Sequence, residues 1–280
     1  ANSNAVSIAD VDSAAGDLTV TLEVAHGTLA LANPAAAGGA GDGTATVTLT
    51  GTVAEIATAI ATITYAPDAD YNGGDTLTLT VNDGGNTGAG GAGDVVETVA
   101  ITVNAVNDDP TVAVPGAQAV DEDGTLTFSD GGGNGVSIAD VDAAAGDVQV
   151  TLAVSHGTLT LASTAGLTNA TGDGTATVVL TGTVAAINTA LTAGFDYDPT
   201  GDYTGGDTLT VTVNDQGNTG SGGGGDISDT VAITVNALND DPVITVPAAQ
   251  TVNEDGSLVF SAANSNAVSI ADVDSAAGDL

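Results

Sequence analysis

Aspartate, glutamate and asparagine recur in short runs at fixed places in this sequence. IADVD supplies Asp10 with Asp12, Asp140 with Asp142, and Asp272 with Asp274. DEDG and NEDG supply Glu122 between Asp121 and Asp123, and Glu254 beside Asp255. Two NDDP runs supply Asn107, Asp108 and Asp109, then Asn239, Asp240 and Asp241. PDADYNGGD adds Asp68, Asp70 and Asp75, and its mate adds Asp198, Asp202 and Asp207. Hard divalent cations take six to eight oxygen ligands from flexible segments of this kind. Oxygen-only clusters, without cysteine and with two histidines in the chain, suit calcium or magnesium rather than zinc. Calcium is the expected cofactor. For any one aspartate, a solvated turn or Asx cap is the competing role.

The charge balance sharpens this expectation. The chain has 280 residues, no lysine or arginine, 36 acidic residues and a formal net charge of -36. Apart from two histidines, no side-chain cation can meet these carboxylates. Compaction therefore works against self-repulsion. Salt screens such charge, and a divalent ion neutralises it directly. Nothing here could neutralise phosphates, so nucleic acid is not an expected partner. An anionic membrane surface is equally unsuited. No apolar run approaches the roughly 20 residues that span a bilayer, and no membrane insertion is expected in this segment. Without cysteine there is no disulfide scaffold, which leaves the compartment open. Secretion and anchoring signals are expected outside this segment, since Ala1 falls in the middle of a repeat.

Catalytic constellations are missing from the sequence. It has no Ser-His-Asp set, phosphate-binding loop or metal-hydrolase motif. His26 and His156 share one repeat position, in VAHGTL and VSHGTL, and read as turn residues because no nucleophile recurs near them. Paired carboxylates could suggest glycoside hydrolysis, but every repeat would then be catalytic. Aromatic sugar platforms are also absent, with aromatics at 2%. No enzyme is expected.

The repeat organises these clusters. Residues 1–18 return unchanged as 263–280, so the long period is 263 − 1 = 262 residues. Inside it runs a half period of about 131: GDGTATV starts at Gly41 and Gly172, and YNGGDTLTLTVND at Tyr71 matches YTGGDTLTVTVND at Tyr203. Tyr65 pairs with Tyr197 and Phe128 with Phe260, while Phe195 has no aromatic mate. Large side chains at repeated positions read as core anchors. A unit of this length can close its own core, unlike a solenoid rung. The NDDP runs are the natural joints, where Pro110 and Pro242 stop strand pairing. The expected division is the later part of one β-sandwich repeat in 1–107, a complete repeat in 108–239 and the opening of a third in 240–280. A neighbouring subunit supplying missing strands is the alternative.

Alternating apolar residues predict strands near 111–115, 117–120, 124–129, 147–154, 157–161, 174–180, 193–197, 207–213 and 229–236. Asp-Gly and glycine-rich segments separate them. GTVAAINTAL at 182–191 predicts one short helix, and Thr52 with Glu55 in its earlier copy has capping-box spacing. The expected class is all-β, a two-sheet sandwich with one short helix per domain. Tyr65, Pro67 and Tyr71 read as a packed strand-to-turn unit, with Asp75 tying the turn through backbone N–H groups; a further calcium site there is the rival. For the acidic clusters, an interdomain site is the economical arrangement. Asn107 and Asp109 come from the joint, Glu122 from the early loop of the following domain, and Asp140 and Asp142 from the next. The equivalent positions are Asn239, Asp241, Glu254, Asp272 and Asp274 at the second joint, with Asp10 and Asp12 in the first copy of IADVD.

GTVAEI…TYAPDADYNGGDTLTLTVND followed by VAITVNAVNDDP resembles the cadherin-like and immunoglobulin-like tandem repeat domains of giant bacterial surface adhesins of the repeats-in-toxin type. The resemblance covers the whole chain. VNAVNDDP is also similar to the linker of true cadherins, and DEDG and DVD loosely to their other ligand motifs; the Asp-Arg-Glu type of motif has no match. The resemblance implies tandem sandwiches of Greek-key-like topology, extracellular or on the cell surface, stiffened by calcium at their joints. It implies interdomain ligands at Asn107, Asp109, Glu122, Asp140 and Asp142.

The function expected is a structural rod, spacer or fibre of a surface adhesin or matrix protein. Its partners would be calcium and adjacent copies of the repeat, with homotypic fibre contacts possible. Two alternatives stand beside it: a filament subunit linked by strand exchange, and a homophilic or ligand-recognition adhesion module.

Overall fold

The structure is a computed structural model that describes residues 5–11, 16–85, 93–143, 146–218, 220–222 and 225–274. The chain is mostly β-strand, laid out in several sheets with few short helices: an all-β, sandwich-like architecture. It divides into two compact units, residues 1–107 with 219–222, and residues 108–218 with 223–280.

In the first unit, strands β1 (Leu18–Glu23), β2 (Gly27–Leu31) and β3 (Thr46–Gly51) lead into helix α1 (Val53–Ala59). Strands β4 (Ile63–Pro67), β5 (Gly73–Asn82) and β6 (Asp94–Val103) follow. One sheet has the order β3-β1-β5-β6, and β2 pairs with β4. Alternation explains the core: Leu18, Val20 and Leu22 point inward along β1, with Val47 and Leu49 on its partner. Thr52 and Glu55 form the capping box expected at the start of α1, each side chain bonding the other's backbone N–H. That satisfies two donors a helix N-terminus otherwise leaves open.

The second unit repeats this plan and extends it. Its strands are β7 (Thr111–Ala113), β8 (Gln118–Asp121), β9 (Leu126–Phe128), β10 (Ser137–Ala139), β11 (Val148–Ala153), β12 (Gly157–Leu161), β13 (Asn169–Thr171) and β14 (Thr177–Gly182). Helix α2 (Val184–Ala193) precedes β15 (Phe195–Pro199), β16 (Gly205–Asn214), β17 (Ile227–Asn236), β18 (Val243–Thr245) and β19 (Ser269–Ala271). The large sheet runs β13-β14-β11-β16-β17-β8, and a second runs β12-β15-β9. Both sheets bury side chains in one core, with Val150, Val211 and Ile233 from the first and Leu159, Phe195 and Phe128 from the second. Phe128 and Phe195 stack at 5.0 Å. Ile187 and Leu191 of α2 enter the same core.

Two connections in this unit bear on the site. β8 runs parallel to β17, with Asp121 beside Asn236. β7 pairs with β10, as β18 pairs with β19. The helix falls at 184–193, slightly later than the 182–191 pattern, because Thr183 caps it and Gly194, at φ +105, ends it. The strands at 137–139 and 169–171 lie outside the sequence expectation. Each has three residues, too few to show alternation.

Candidate divalent-cation site

The parallel pairing of β8 with β17 decides where the DEDG turn lies. Parallel neighbours end at the same edge of a sheet. The turn after β8 therefore emerges beside the chain leaving β17. Glu122 N–H donates to Asn236 O at 3.0 Å, and the Glu122 carboxylate accepts from Leu238 N–H at 2.8 Å. Glu122 is buried, only 3% exposed.

Two further carboxylates arrive from sequence beyond β17. Asp240 belongs to NDDP and Asp274 to the last IADVD. Asp240 N–H donates to Asp274 Oδ2 at 2.5 Å. Asp272 Oδ1 accepts from Asp274 N–H at 3.1 Å, an Asx turn that fixes the DVD loop. One oxygen each from Glu122, Asp240 and Asp274 lies within 4.8 Å of the others. These three groups could coordinate a divalent cation. Asp202 and Asn239 line the same cavity with Glu122 and Asp274. Asp241 and Asp272 line an adjoining one with Asp202 and Asp240.

The electrostatics of this cluster are unfavourable without a cation. Burial raises the Asp240 carboxyl above its ordinary range, and repulsion from Asp123, Asp274, Asp202 and Glu122 adds to it. The buried Oδ2 of Asp240 accepts no hydrogen bond from the protein. A buried charged oxygen without a partner is costly, and the chain has no lysine or arginine to approach it. An oxygen ligand grouped with the carboxylates of Glu122 and Asp274 fits a hard cation.

The grouping expected at the first joint puts Glu122 with Asn107, Asp109, Asp140 and Asp142; in the second unit Glu122 stands with Asp240 and Asp274, beside the chain that leaves β17. At that earlier joint Asp108 N–H donates to Asp142 Oδ2 at 3.0 Å, matching the Asp240–Asp274 pair. Asp140 Oδ1 accepts from Asp142 and Ala143 N–H, and its Oδ2 is buried without a hydrogen-bond partner. Burial, then Asp142, raises the Asp140 carboxyl. Asn107 belongs to the first unit, where its N–H donates to Ser221 O at 3.3 Å. Asp109 is exposed, as is Glu254 in the turn after Asn253. Asp10 lines a groove of the first unit, and Asp12 lies outside the described residues.

Asp240 and Asp202 are the residues that pattern reading did not place in a site. Asp240 is the first aspartate of its NDDP run, one position before the Asp241 expected. Asp202 sits in a turn at φ +61, and Asp70 occupies the same turn of the first unit at φ +59. A left-handed aspartate at the same place in both copies is a signal the sequence carries only through the repeat.

A second recurring carboxylate has a different task. Asp207 accepts from Ser155, His156 and Thr208 N–H and from Tyr197 Oη at 2.9 Å. Asp75 does the same with Ala25, His26 and Thr76 N–H and with Tyr65 Oη. Burial pushes Asp75 up, but the backbone donors from Ala25, Thr76 and His26 outweigh it and hold the carboxyl at about 2. Asp207 is lowered by the same balance of causes. Burial, then Asp75, raises Tyr65 to about 12, so its hydroxyl stays a donor. His26 stacks on Tyr71 at 4.1 Å and His156 on Tyr203 at 4.0 Å. These contacts tie the β1–β2 and β11–β12 turns to the start of the following long strand. They account for the repeated Tyr-Pro-Asp-Tyr region structurally.

Among the described residues no helix is long and apolar enough to cross a membrane. No family model and no curated protein matches the chain. Among solved structures it is similar to human CDH23 EC21-23, at 13% identity over 96% of this chain and 78% of that one, with a TM-score of 0.35. Mouse Cadherin-23 EC22-24 is similar at 13% identity over 81% and 56%, with a TM-score of 0.30. So is an endo-fucoidan hydrolase of glycoside hydrolase family 107, at 17% identity over 78% and 24%, with a TM-score of 0.24. These likenesses are distant.

Proposed function

We propose that this chain is a stretch of an extracellular structural or adhesive rod, built from β-sandwich repeats and stiffened by calcium at their joints. The carrying observation is the convergence of Glu122, Asp240 and Asp274 in a chain without a single lysine or arginine. Calcium at that place links three segments: the turn after β8, the NDDP joint and the DVD loop of the repeat that follows. Asp202 and Asn239 are additional oxygen donors lining the cavity. Each ligand is short-tethered, and the ion replaces mutual repulsion with a shared attraction. The joint then resists bending because each segment is anchored to the same ion.

Several features support the finer parts of this reading. On this reading the repeats divide at the NDDP runs, into 1–107, 108–239 and 240–280, where the sequence motifs repeat. Both sheets of the second unit bury one core, and the order β12-β15-β9 opposite β11-β16-β17-β8 is compatible with a Greek-key, immunoglobulin-like sandwich. By repeat correspondence, Asp108, Asp140 and Asp142 are ligands of an equivalent site. A rod has no need of catalytic groups, and the two histidines are engaged in stacking. The test is thermal unfolding of the 280-residue chain in millimolar calcium and in chelator. The midpoint is expected to rise with calcium; an unchanged midpoint would sink the reading.

A further inference from the structure

β10 is short and leads straight into a carboxylate pair. It spans Ser137–Ala139, and Asp140 and Asp142 follow. It pairs with β7, Ile138 opposite Val112. Three residues on three make a weak hold, since a lone pair of short strands is marginal in water. A side chain supplies the rest. Asn188, in α2, accepts from Ile138 N–H at 3.0 Å and donates to Ile138 O at 2.8 Å. Its amide carries the acceptor and the donor that a neighbouring strand would offer. Ile138 is buried, and leaving its backbone groups unpaired there would be costly.

The hydrogen bonds continue from β10 into the acidic loop. Asp140 Oδ1 accepts from Asp142 N–H at 3.1 Å and from Ala143 N–H at 2.9 Å. Asp142 Oδ2 accepts from Asp108 N–H at 3.0 Å. Asp140 Oδ2 is buried and accepts no hydrogen bond from the protein. Ile138 lies two residues before Asp140, so the Asn188 bonds fix the backbone from which that oxygen is presented. The repeat shows that the asparagine serves something besides its helix. GTVAAINTAL at 182–191 matches GTVAEIATAI at 51–60, and Asn188 falls on Ala57. α1 forms with alanine at that position. Alanine is also the better helix former. The two bonds to Ile138 are what the amide adds.

We propose that Asn188 is a positioning residue for cation binding: by bonding Ile138 it holds Asp140 and Asp142 in the arrangement that a calcium ion takes. This rests on the calcium reading of the joints and names a residue that tunes one of their sites. A ligand set held ready loses less freedom when the ion binds. Groups that orient metal ligands from behind change affinity by about ten- to hundredfold. Asn188 acts through the backbone, one step further from the ion, so the lower end of that range applies.

The experiment is a calcium titration of the isotope-labelled 280-residue chain, followed through its backbone amide resonances by NMR. The Asp142 and Ala143 amides report on the loop after β10. The Leu238 and Asp240 amides report on the Glu122 cluster and serve as an internal control. Asn188→Ala is expected to weaken calcium binding about tenfold at the first pair and to leave the second pair at its wild-type affinity. The variant should keep wild-type circular dichroism, because α1 already carries alanine at this position. Thr189→Ala removes a bond to Ala185 O within the same helix and is expected to change neither pair. The inference is overturned if Asn188→Ala leaves the Asp142 and Ala143 response unchanged. It is equally overturned if both pairs weaken alike, the mark of a general loosening. A wild-type chain whose Asp142 and Ala143 amides ignore calcium would overturn the calcium reading at this site, and the role of Asn188 with it.

Discussion

Glu122 and Asp274, far apart in sequence, bring carboxylate oxygens within 4.8 Å of each other beside Asp240. Two anions at that separation in a partly buried place repel strongly. A cation between them reverses the sign of the interaction. Replacing one carboxylate by its amide keeps the shape and removes one charge. Asp274→Asn and Glu122→Gln are each expected to lower calcium affinity by about tenfold or more, since ligand charge tunes such sites over decades. Calorimetric titration of wild type and variants checks this; equal affinity and stoichiometry would count against the assignment.

The Asp75 and Asp207 clusters predict a pH dependence of a definite sign. Both carboxyls are lowered in the folded chain, Asp75 to about 2. A carboxylate lowered on folding stabilises the protein above its unfolded value, and that contribution is lost as pH falls through the folded value. Stability should therefore drop between about pH 4 and pH 2. The Asp75→Asn, Asp207→Asn double variant should be less stable at neutral pH and flatter in that window. Thermal midpoints across the window measure both. A variant with the wild-type slope would show that other carboxylates set the acid response.

Packing gives a third expectation. Phe128 is fully buried and stacks on Phe195 of the neighbouring strand in the same sheet, where both face the core of the second unit. Phe128→Ala should cost about 3–5 kcal/mol. The helix cap is a smaller contribution. Thr183 accepts from Ala186 N–H at 3.2 Å, and Thr183→Ala should cost about 1 kcal/mol. Denaturant unfolding of both variants tests the ranking, which fails if the cap outweighs the core residue.

The alternation in Thr208–Val213 and Thr230–Val235 was enough to place β16 and β17, because one face of each is buried. The start of α1 was legible locally too, from the capping-box spacing of Thr52 and Glu55. β10 was not, since three residues show no period; it is held by Asn188 of α2, whose side chain bonds both Ile138 N–H and Ile138 O. The site was legible in residue type and poorly legible in grouping. Sequence order suggests that an early loop serves the joint before it. The parallel pairing of β8 with β17 instead carries Glu122 beside the chain that leaves β17, where Asp240 and Asp274 lie. That pairing depends on two segments more than a hundred residues apart, and no local pattern encodes it.

The most direct measurement of the central claim is anomalous diffraction from crystals of this chain grown with calcium. An anomalous peak is expected at about 2.3–2.6 Å from oxygens of Glu122, Asp240 and Asp274. Crystals grown in millimolar calcium without a peak among those three carboxylates would contradict it.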